Sequence, residues 1–187
     1  PVAGRPIITY VIDILRKYGF RNLVINLYHL PQLIEGFLGN GSSFGVKITY
    51  SHERELLGTG GAILEVKDIL SDGSFLVINS DILIDLDLER LVHFHREKKA
   101  EATLAIKIST EAEKFGPIGV DEQGRIVKFL DLEVAKPSRE GIFTGVSVLG
   151  PSVFGYILHG GDGLGDKVFP TMLKAGEPLY AFEEVKY

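Results

Sequence analysis

Asp81 is the residue whose position speaks most directly to chemistry. It closes Asn79-Ser80-Asp81, immediately after the apolar run Phe75-Leu76-Val77-Ile78. A continuous apolar run of this length reads as a buried strand, and in open α/β sheets ligands bind at the carboxyl ends of the strands. A carboxylate placed there can hold Mg²⁺ through one oxygen while phosphates supply the rest of the shell. The same residue can also do no more than cap a turn, because Asp favours turns. Asp85-Leu86-Asp87 is a second acidic motif. Two carboxylates one residue apart can share a cation, or they can form the acidic start of the helix at Leu88, which the helix dipole favours.

Gly58-Thr59-Gly60-Gly61 stands between a strand and a helix. Glycines let backbone approach a ligand closely, and the N–H groups at a helix start attract anions. A plain strand-to-helix turn uses the same residues, and the run is neither a Walker A loop nor a full G-x-G-x-x-G. Thr144-Gly145 lies inside an apolar strand, where a glycine marks either close approach of a ligand or backbone or a bulge. Phe115-Gly116-Pro117 precedes a strand and has the composition of an ordinary turn. The histidines His29, His52, His93, His95 and His159 show no metal-ligand spacing and read as surface or capping residues. Ser80 lacks the G-x-S-x-G elbow of a serine hydrolase.

These residues need elements to position them. Pro6 suits the first turn of a helix, and Ile7, Ile8, Val11, Ile12 and Leu15 follow at helical spacing before Gly19 stops it. Leu23-Val24-Ile25 reads as a strand covered on both faces. Leu30 to Leu38 is a helix, and Val46, Ile48 and Tyr50 alternate as a half-buried strand. Helices are expected over Gly60–Leu70 and Leu88–Lys98, and a strand over Ala102–Ile108. This β-α alternation predicts an α/β domain with a mostly parallel central sheet. The second half changes character. A hairpin is expected over Ile118–Phe129, turning at Asp121-Glu122-Gln123-Gly124. A strand over Ile142–Leu149, a short helix over Pro151–Leu158 and a helix over Lys167–Ala175 follow, giving a more antiparallel half.

Composition bounds the function classes. The 187 residues suit one domain, with 24% charged and 45% hydrophobic residues arguing against disorder. The net charge of −5 gives no basic footprint, so nucleic acid and anionic membrane are not expected partners. The absence of cysteine excludes disulfides, thiolate metal sites and cysteine nucleophiles. The stretch from Gly141 to Gly161 has no Asp, Glu, Lys or Arg, but its glycines and Pro151 break it into strand, turn and short helix rather than one membrane span.

In order and spacing, the motifs resemble the sugar-1-phosphate nucleotidyltransferases over nearly the whole chain. The matching segments are Val2-Ala3-Gly4-Arg5-Pro6-Ile7-Ile8, Leu57-Gly58-Thr59-Gly60-Gly61-Ala62, Val77-Ile78-Asn79-Ser80-Asp81, Phe115-Gly116-Pro117-Ile118, Phe143-Thr144-Gly145-Val146 and Phe169-Pro170. Leu38-Gly39-Asn40-Gly41-Ser42-Ser43-Phe44-Gly45 is most similar to short bacterial members, which include N-acetylmuramate-1-phosphate uridylyltransferases and small mannose-1-phosphate guanylyltransferase-like proteins. The resemblance implies a Rossmann-like three-layer fold and Mg²⁺-assisted, in-line attack of a sugar 1-phosphate on the α-phosphate of an NTP. The products would be an NDP-sugar and pyrophosphate. It implies that Asp81 is the catalytic metal ligand, that Glu53, Gly58 and Thr59 border the nucleotide, and that Gly116, Thr144 and Gly145 line the sugar pocket. A cytoplasmic enzyme with NTP and sugar 1-phosphate as partners is expected, and a homo-oligomer is compatible with it.

Three departures from the family pattern shape the expectation. The Gly-rich signature with its phosphate-binding Arg and later Lys would precede Pro1. The second metal-binding Asp would follow Tyr187. The Glu-Lys-Pro motif is not matched: Phe129-Leu130-Asp131 stands near its place and Lys136-Pro137 comes later. The span 1–187 is thus expected to be one nucleotidyltransferase domain, incomplete at both ends. A strand upstream of Pro1 would sit at the sheet centre, and without it Leu23-Val24-Ile25 and Phe75-Leu76-Val77-Ile78 would risk exposed edges. Two other readings compete: an A-type glycosyltransferase, with Asp85-Leu86-Asp87 as its metal motif, and a non-catalytic regulatory subunit that binds a sugar nucleotide.

Overall fold

The computed structural model describes residues 2–158 and 161–183. Pro1, His159 and Tyr187, named above, lie outside the described residues.

The first helix, α1 (Ile8–Lys17), follows Pro6 and ends where Gly19 takes φ +86°, with the Phe20 N–H donating to the Leu15 carbonyl at 3.0 Å. Its buried face is divided. Val11 and Leu15 pack with Leu86, Leu88, Leu91, Val146 and Val148, whereas Ile12 packs with Leu38, Val46 and Ile48. One helix therefore closes two apolar clusters.

Strand β1 (Asn22–Leu27), helix α2 (Pro31–Leu38) and strand β2 (Lys47–His52) come next. β1 and β2 pair in parallel and form a two-stranded sheet of their own. The helix expected over Gly60–Leu70 starts two residues earlier and divides into α3 (Gly58–Glu65) and α4 (Lys67–Leu70), because Val66 leaves the helical region at φ −113°. Strand β3 (Phe75–Ile78), helix α5 (Leu88–Glu97) and strand β4 (Ala102–Ile108) follow the expected bounds closely, although β3 is half-buried along its length rather than the buried strand expected.

β5 (Pro117–Val120) and β6 (Ile126–Phe129) form the expected hairpin, and a short β7 (Leu132–Glu133) adds to its edge. β8 (Arg139–Leu149) begins three residues earlier than its apolar run. A 3₁₀ turn over Pro151–Gly155 and one turn of π-helix over Leu164–Val168 lead into α6 (Phe169–Lys174), and β9 (Leu179–Phe182) completes the larger sheet.

The expectation of a mostly parallel sheet is corrected. The seven-stranded sheet is mixed, in the order β7-β6-β5-β8-β4-β9, with β3 also on β8. The physical reason is the long β8. Both β3 and β4 run antiparallel to it, so among the described residues the one parallel pair of this sheet is β4 with β9. The sheet also curls, since Ala181 donates its N–H to the Gly124 carbonyl in the β5–β6 turn at 2.9 Å. Among the described residues β1 pairs only with β2 and β3 only with β8, so each keeps one open edge. Leu23 of β1 and Leu76 and Ile78 of β3 pack in the same cluster beneath α1. Among the described residues no helix is long and apolar enough to cross a membrane.

His95 overturns its reading as a surface or capping residue. It is 3% exposed, on the inner face of α5, with Nδ1 3.0 Å from Thr103 Oγ1 and Nε2 3.1 Å from Ser74 Oγ. Those two hydroxyls satisfy the ring, which is how a polar side chain is buried at low cost. The residue lies in the helix expected over Leu88–Lys98; its chemical type concealed the burial.

Candidate functional site

The sheet opens beside β8. One edge of this strand carries β4 along its length. The other is shared: β3 pairs with residues 146–149 and β5 with residues 139–142. Phe143, Thr144 and Gly145 fall between them, so the end of β3 and the start of β5 face one another across a gap in the sheet. This gap is the topological feature that can admit a ligand at the carboxyl end of β3.

A bulge shapes the gap. Opposite β4, Leu104 pairs with Ser147 but Ile106 pairs with Phe143, leaving Ala105 alone against three residues of β8. The Thr144 hydroxyl donates to the Ala105 carbonyl at 2.8 Å and fixes the bulge. Gly145 takes φ +85°, and a Cβ there would lie 2.7 Å from Asn79 Nδ2. Of the two readings of this glycine the structure shows the bulge, and the space it leaves holds the Asn79 side chain. The Asn79 N–H also donates to the Gly145 carbonyl at 2.9 Å. Gly116, at φ +85°, immediately precedes Pro117, which pairs with Ile142, so it stands on the far lip of the same gap. Asp81 is exposed two residues beyond Asn79, and no described residue forms a hydrogen bond or ion pair with it.

The remaining predicted residues gather at a different corner, after β2. Glu53 Oε1 accepts from Asn26 Nδ2 at 2.7 Å and Oε2 from the Leu57 N–H at 3.1 Å. Both carboxylate oxygens thus hold the turn that leads into α3. Gly58 takes φ +66°, and the exposed Thr59 accepts the Leu164 N–H on its hydroxyl at 2.8 Å. The Gly60 N–H donates to the Asp162 carbonyl at 2.8 Å, and a Cβ on Gly60 would stand 2.5 Å from that oxygen. Close approach of a second chain segment is what these glycines permit here.

Asp87 resolves the D-x-D motif toward helix initiation. It is the N-cap of α5, and its Oδ1 accepts the Arg90 N–H at 3.0 Å. Among the described residues no group of three or more His, Cys, Asp or Glu is placed to hold a metal ion. A groove of about 1140 Å³ runs between the end of α1, α5 and the β5–β6 turn, but it contains none of the predicted site residues.

Sequence reasoning missed three participants. Asn79 lay inside a quoted motif, but its contact with Gly145 depends on a pairing across the sheet. Lys128 Nζ meets Glu140 Oε1 at 2.7 Å across Gly119, and that hydrogen bond pushes the Lys128 pKa up. Lys167 Nζ meets Asp162 Oδ1 at 2.9 Å, and this bond likewise raises the lysine pKa. No local signal pairs Asp162 with the glycines at 58–60, which lie about a hundred positions earlier.

Strand ends gathered around an opening in a mixed sheet define an α/β domain. Residues 1–187 match the model of the nucleotidyl transferase family, and the chain belongs to that family. It is 32% identical, over 97% of its length, to a UTP–glucose-1-phosphate uridylyltransferase from Synechocystis. It is 31% identical, over its whole length, to a mannose-1-phosphate guanylyltransferase from Mycobacterium tuberculosis. It covers 50% and 52% of those two proteins, so it spans about half the length of these curated relatives. Two solved structures share the fold. HddC from Yersinia pseudotuberculosis superposes with TM-score 0.82 at 18% identity, over 100% of this chain and 80% of its own. A putative glucose-1-phosphate thymidylyltransferase from Bacillus anthracis, in complex with a sucrose, gives 0.81 at 24%, over 98% and 76%.

Proposed function

We propose that the protein containing this chain transfers a nucleotidyl group from an NTP to a sugar 1-phosphate, releasing pyrophosphate and an NDP-sugar. The observation that carries this reading is the opening beside β8, with Asp81 exposed at one lip and Gly116, Thr144 and Gly145 around it, in a chain of the nucleotidyl transferase family. The names of the sequence relatives support it.

In this reading an oxygen of the sugar phosphate attacks the α-phosphorus in line, and the bond to the β-phosphate oxygen breaks. Little covalent work falls to the protein, so positioning dominates. Thr59 and the turn held by Glu53 border the nucleotide. Gly116 and the Thr144-Gly145 bulge border the sugar, and Asn79 presents its amide to the same opening. Asp81 is a hard oxygen donor without a hydrogen-bond or ion-pair partner among the described residues, which fits a divalent cation completed by phosphate and water oxygens. When bound, such an ion, proposed as Mg²⁺, neutralises charge on the reacting phosphate. The partners are then soluble metabolites, NTP and sugar 1-phosphate, in the cytoplasm.

The test uses the full-length protein with a panel of NTPs and hexose 1-phosphates, reading pyrophosphate release with and without Mg²⁺. Metal-dependent release with at least one pair is expected, and NDP-sugar plus pyrophosphate should regenerate the NTP. No turnover with any pair refutes the proposal. Transfer of sugar from an NDP-sugar without that reversal points to a glycosyltransferase instead.

A further inference from the structure

Segment 161–164 does more than connect β8 to α6. It lies across the start of α3 and grips it at successive residues. The Gly161 N–H donates to the Leu57 carbonyl at 2.6 Å, the Gly60 N–H to the Asp162 carbonyl at 2.8 Å, and the Leu164 N–H to the Thr59 hydroxyl at 2.8 Å. The segment is itself braced. The Asp162 carboxylate, 9% exposed, accepts from Lys167 Nζ at 2.9 Å and from the Leu158 N–H at 3.2 Å. Its far end enters the core of the larger sheet. Val168 and Phe169 are fully buried, and the Phe169 ring packs edge-on against Phe143 at 6.1 Å. Phe143 immediately precedes the Thr144-Gly145 bulge.

A continuous line of packed and hydrogen-bonded groups therefore joins the two corners of the candidate site: Thr59 and Gly60, then Asp162 and Leu164, then Phe169, then Phe143. We propose that this strap is the spacer that sets the distance between the nucleotide and the sugar phosphate, with Asp162 as its positioning residue. The inference rests on the reading given under Proposed function, in which the two corners bind the two substrates. In an in-line transfer, the separation of two bound reactants affects the rate more than the binding of either one. Damage to the strap should accordingly lower kcat and leave both KM values nearly unchanged.

Gly60→Ala is the sharpest probe. Alanine favours the helix that Gly60 occupies, yet its Cβ would stand 2.5 Å from the Asp162 carbonyl oxygen and push strap and helix apart. Gly36→Ala is the control: it lies within α2, and nothing stands within 4 Å of its added Cβ. Asp162→Asn keeps an acceptor for Leu158 but loses the charge that holds Lys167.

Two measurements on the full-length protein decide the matter. The first is kcat with both KM values. The second is independent of turnover: spin labels at Leu56→Cys and Phe115→Cys, whose native side chains are 71% and 66% exposed, report the separation of the two corners. The 187 residues contain no cysteine, so within this span only the introduced thiols react. For Gly60→Ala a shifted or broadened label distance is expected, with kcat reduced ~10-fold or more and each KM changed less than ~3-fold. Asp162→Asn should do the same to a smaller degree, and Gly36→Ala should do neither. An unchanged distance in Gly60→Ala overturns the spacer. So does an altered distance with normal kcat, or a rise confined to the KM for NTP. If the wild-type protein turns over no substrate pair, the functional reading falls, whereas the distance measurement still decides whether the strap sets the separation.

Discussion

The two corners of the candidate site are built on different principles. The opening beside β8 is made within one sheet. Its bulge is fixed by the Thr144 hydroxyl on the Ala105 carbonyl, and Asn79 is tied to Gly145 by its N–H on the Gly145 carbonyl. The corner after β2 belongs to a separate, two-stranded sheet and is held by a segment about a hundred residues later in the chain. A site made in one sheet is as rigid as its ladder. A site spanning two sheets is as rigid as the contacts that tie them. The contrast predicts that substitutions beside β8 act through fold and chemistry together, whereas substitutions after β2 act through alignment.

The largest effect is expected at the lip of the opening. Asp81→Asn should lower turnover by ~10²-fold or more while leaving the fold intact, since the proposed divalent cation would lose a carboxylate ligand while no hydrogen bond or ion pair to a described residue is broken. Mg²⁺-dependent pyrophosphate release by a variant with wild-type circular dichroism is the measurement. Near-normal rates would remove Asp81 from the metal site.

Gly145→Val comes next and probes whether the bulge and the pocket are one structure. It forces a branched residue to φ +85° and drives Cβ into Asn79. A loss of about 1–3 kcal/mol of stability is expected from the backbone strain alone. The KM for sugar phosphate should rise more than the KM for NTP; an equal rise in both would confine Gly145 to the bulge.

Thr59→Val tests the other corner. It keeps the shape but leaves the Leu164 N–H without its acceptor, which costs about 1 kcal/mol. Turnover should fall several-fold with a drop in melting temperature of only about 2–4 °C. A large drop in melting temperature at unchanged turnover would mean that the strap serves folding alone.

The smallest effect concerns the frame behind the opening. Burial pushes the His95 pKa below its usual value; nearby Glu101 opposes this and Arg96 adds to it. The unfolded chain therefore binds the proton first. The stability that neutral His95 contributes is complete above the unfolded pKa of about 6.5 and is lost as pH falls below it. The melting temperature should be lower at pH 5.5 than at pH 7.5. His95→Gln, which can still bond Thr103 and Ser74, should narrow that difference.

Much of the fold was legible because it is local. Phe75–Ile78 is an apolar run and Ala102–Ile108 a largely apolar one, and the ends of both coincide with strand ends. The Asp121–Gly124 turn announced its hairpin. Strand direction was not legible, since it depends on β8 pairing with partners some forty to seventy residues earlier in the chain. β9 escaped notice because four residues of Leu179-Tyr180-Ala181-Phe182 carry too little pattern. At the site, the Gly58-Thr59-Gly60 motif was visible but its partner was not. A glycine advertises that something comes close; only the fold shows that Asp162 is what does.

The divided face of α1 has a consequence for how the molecule comes apart. Val11 and Leu15 seal the cluster over β3 and β8, and Ile12, one position along, seals the cluster over β2. Pulling this helix away would wet both interiors at once, so neither sheet can melt while the other keeps its cover. Slowly exchanging amides in β2 and β3 should then report one shared opening event, and the two sheets would behave as a single cooperative unit even though no ladder hydrogen bond joins β1 to β3 among the described residues.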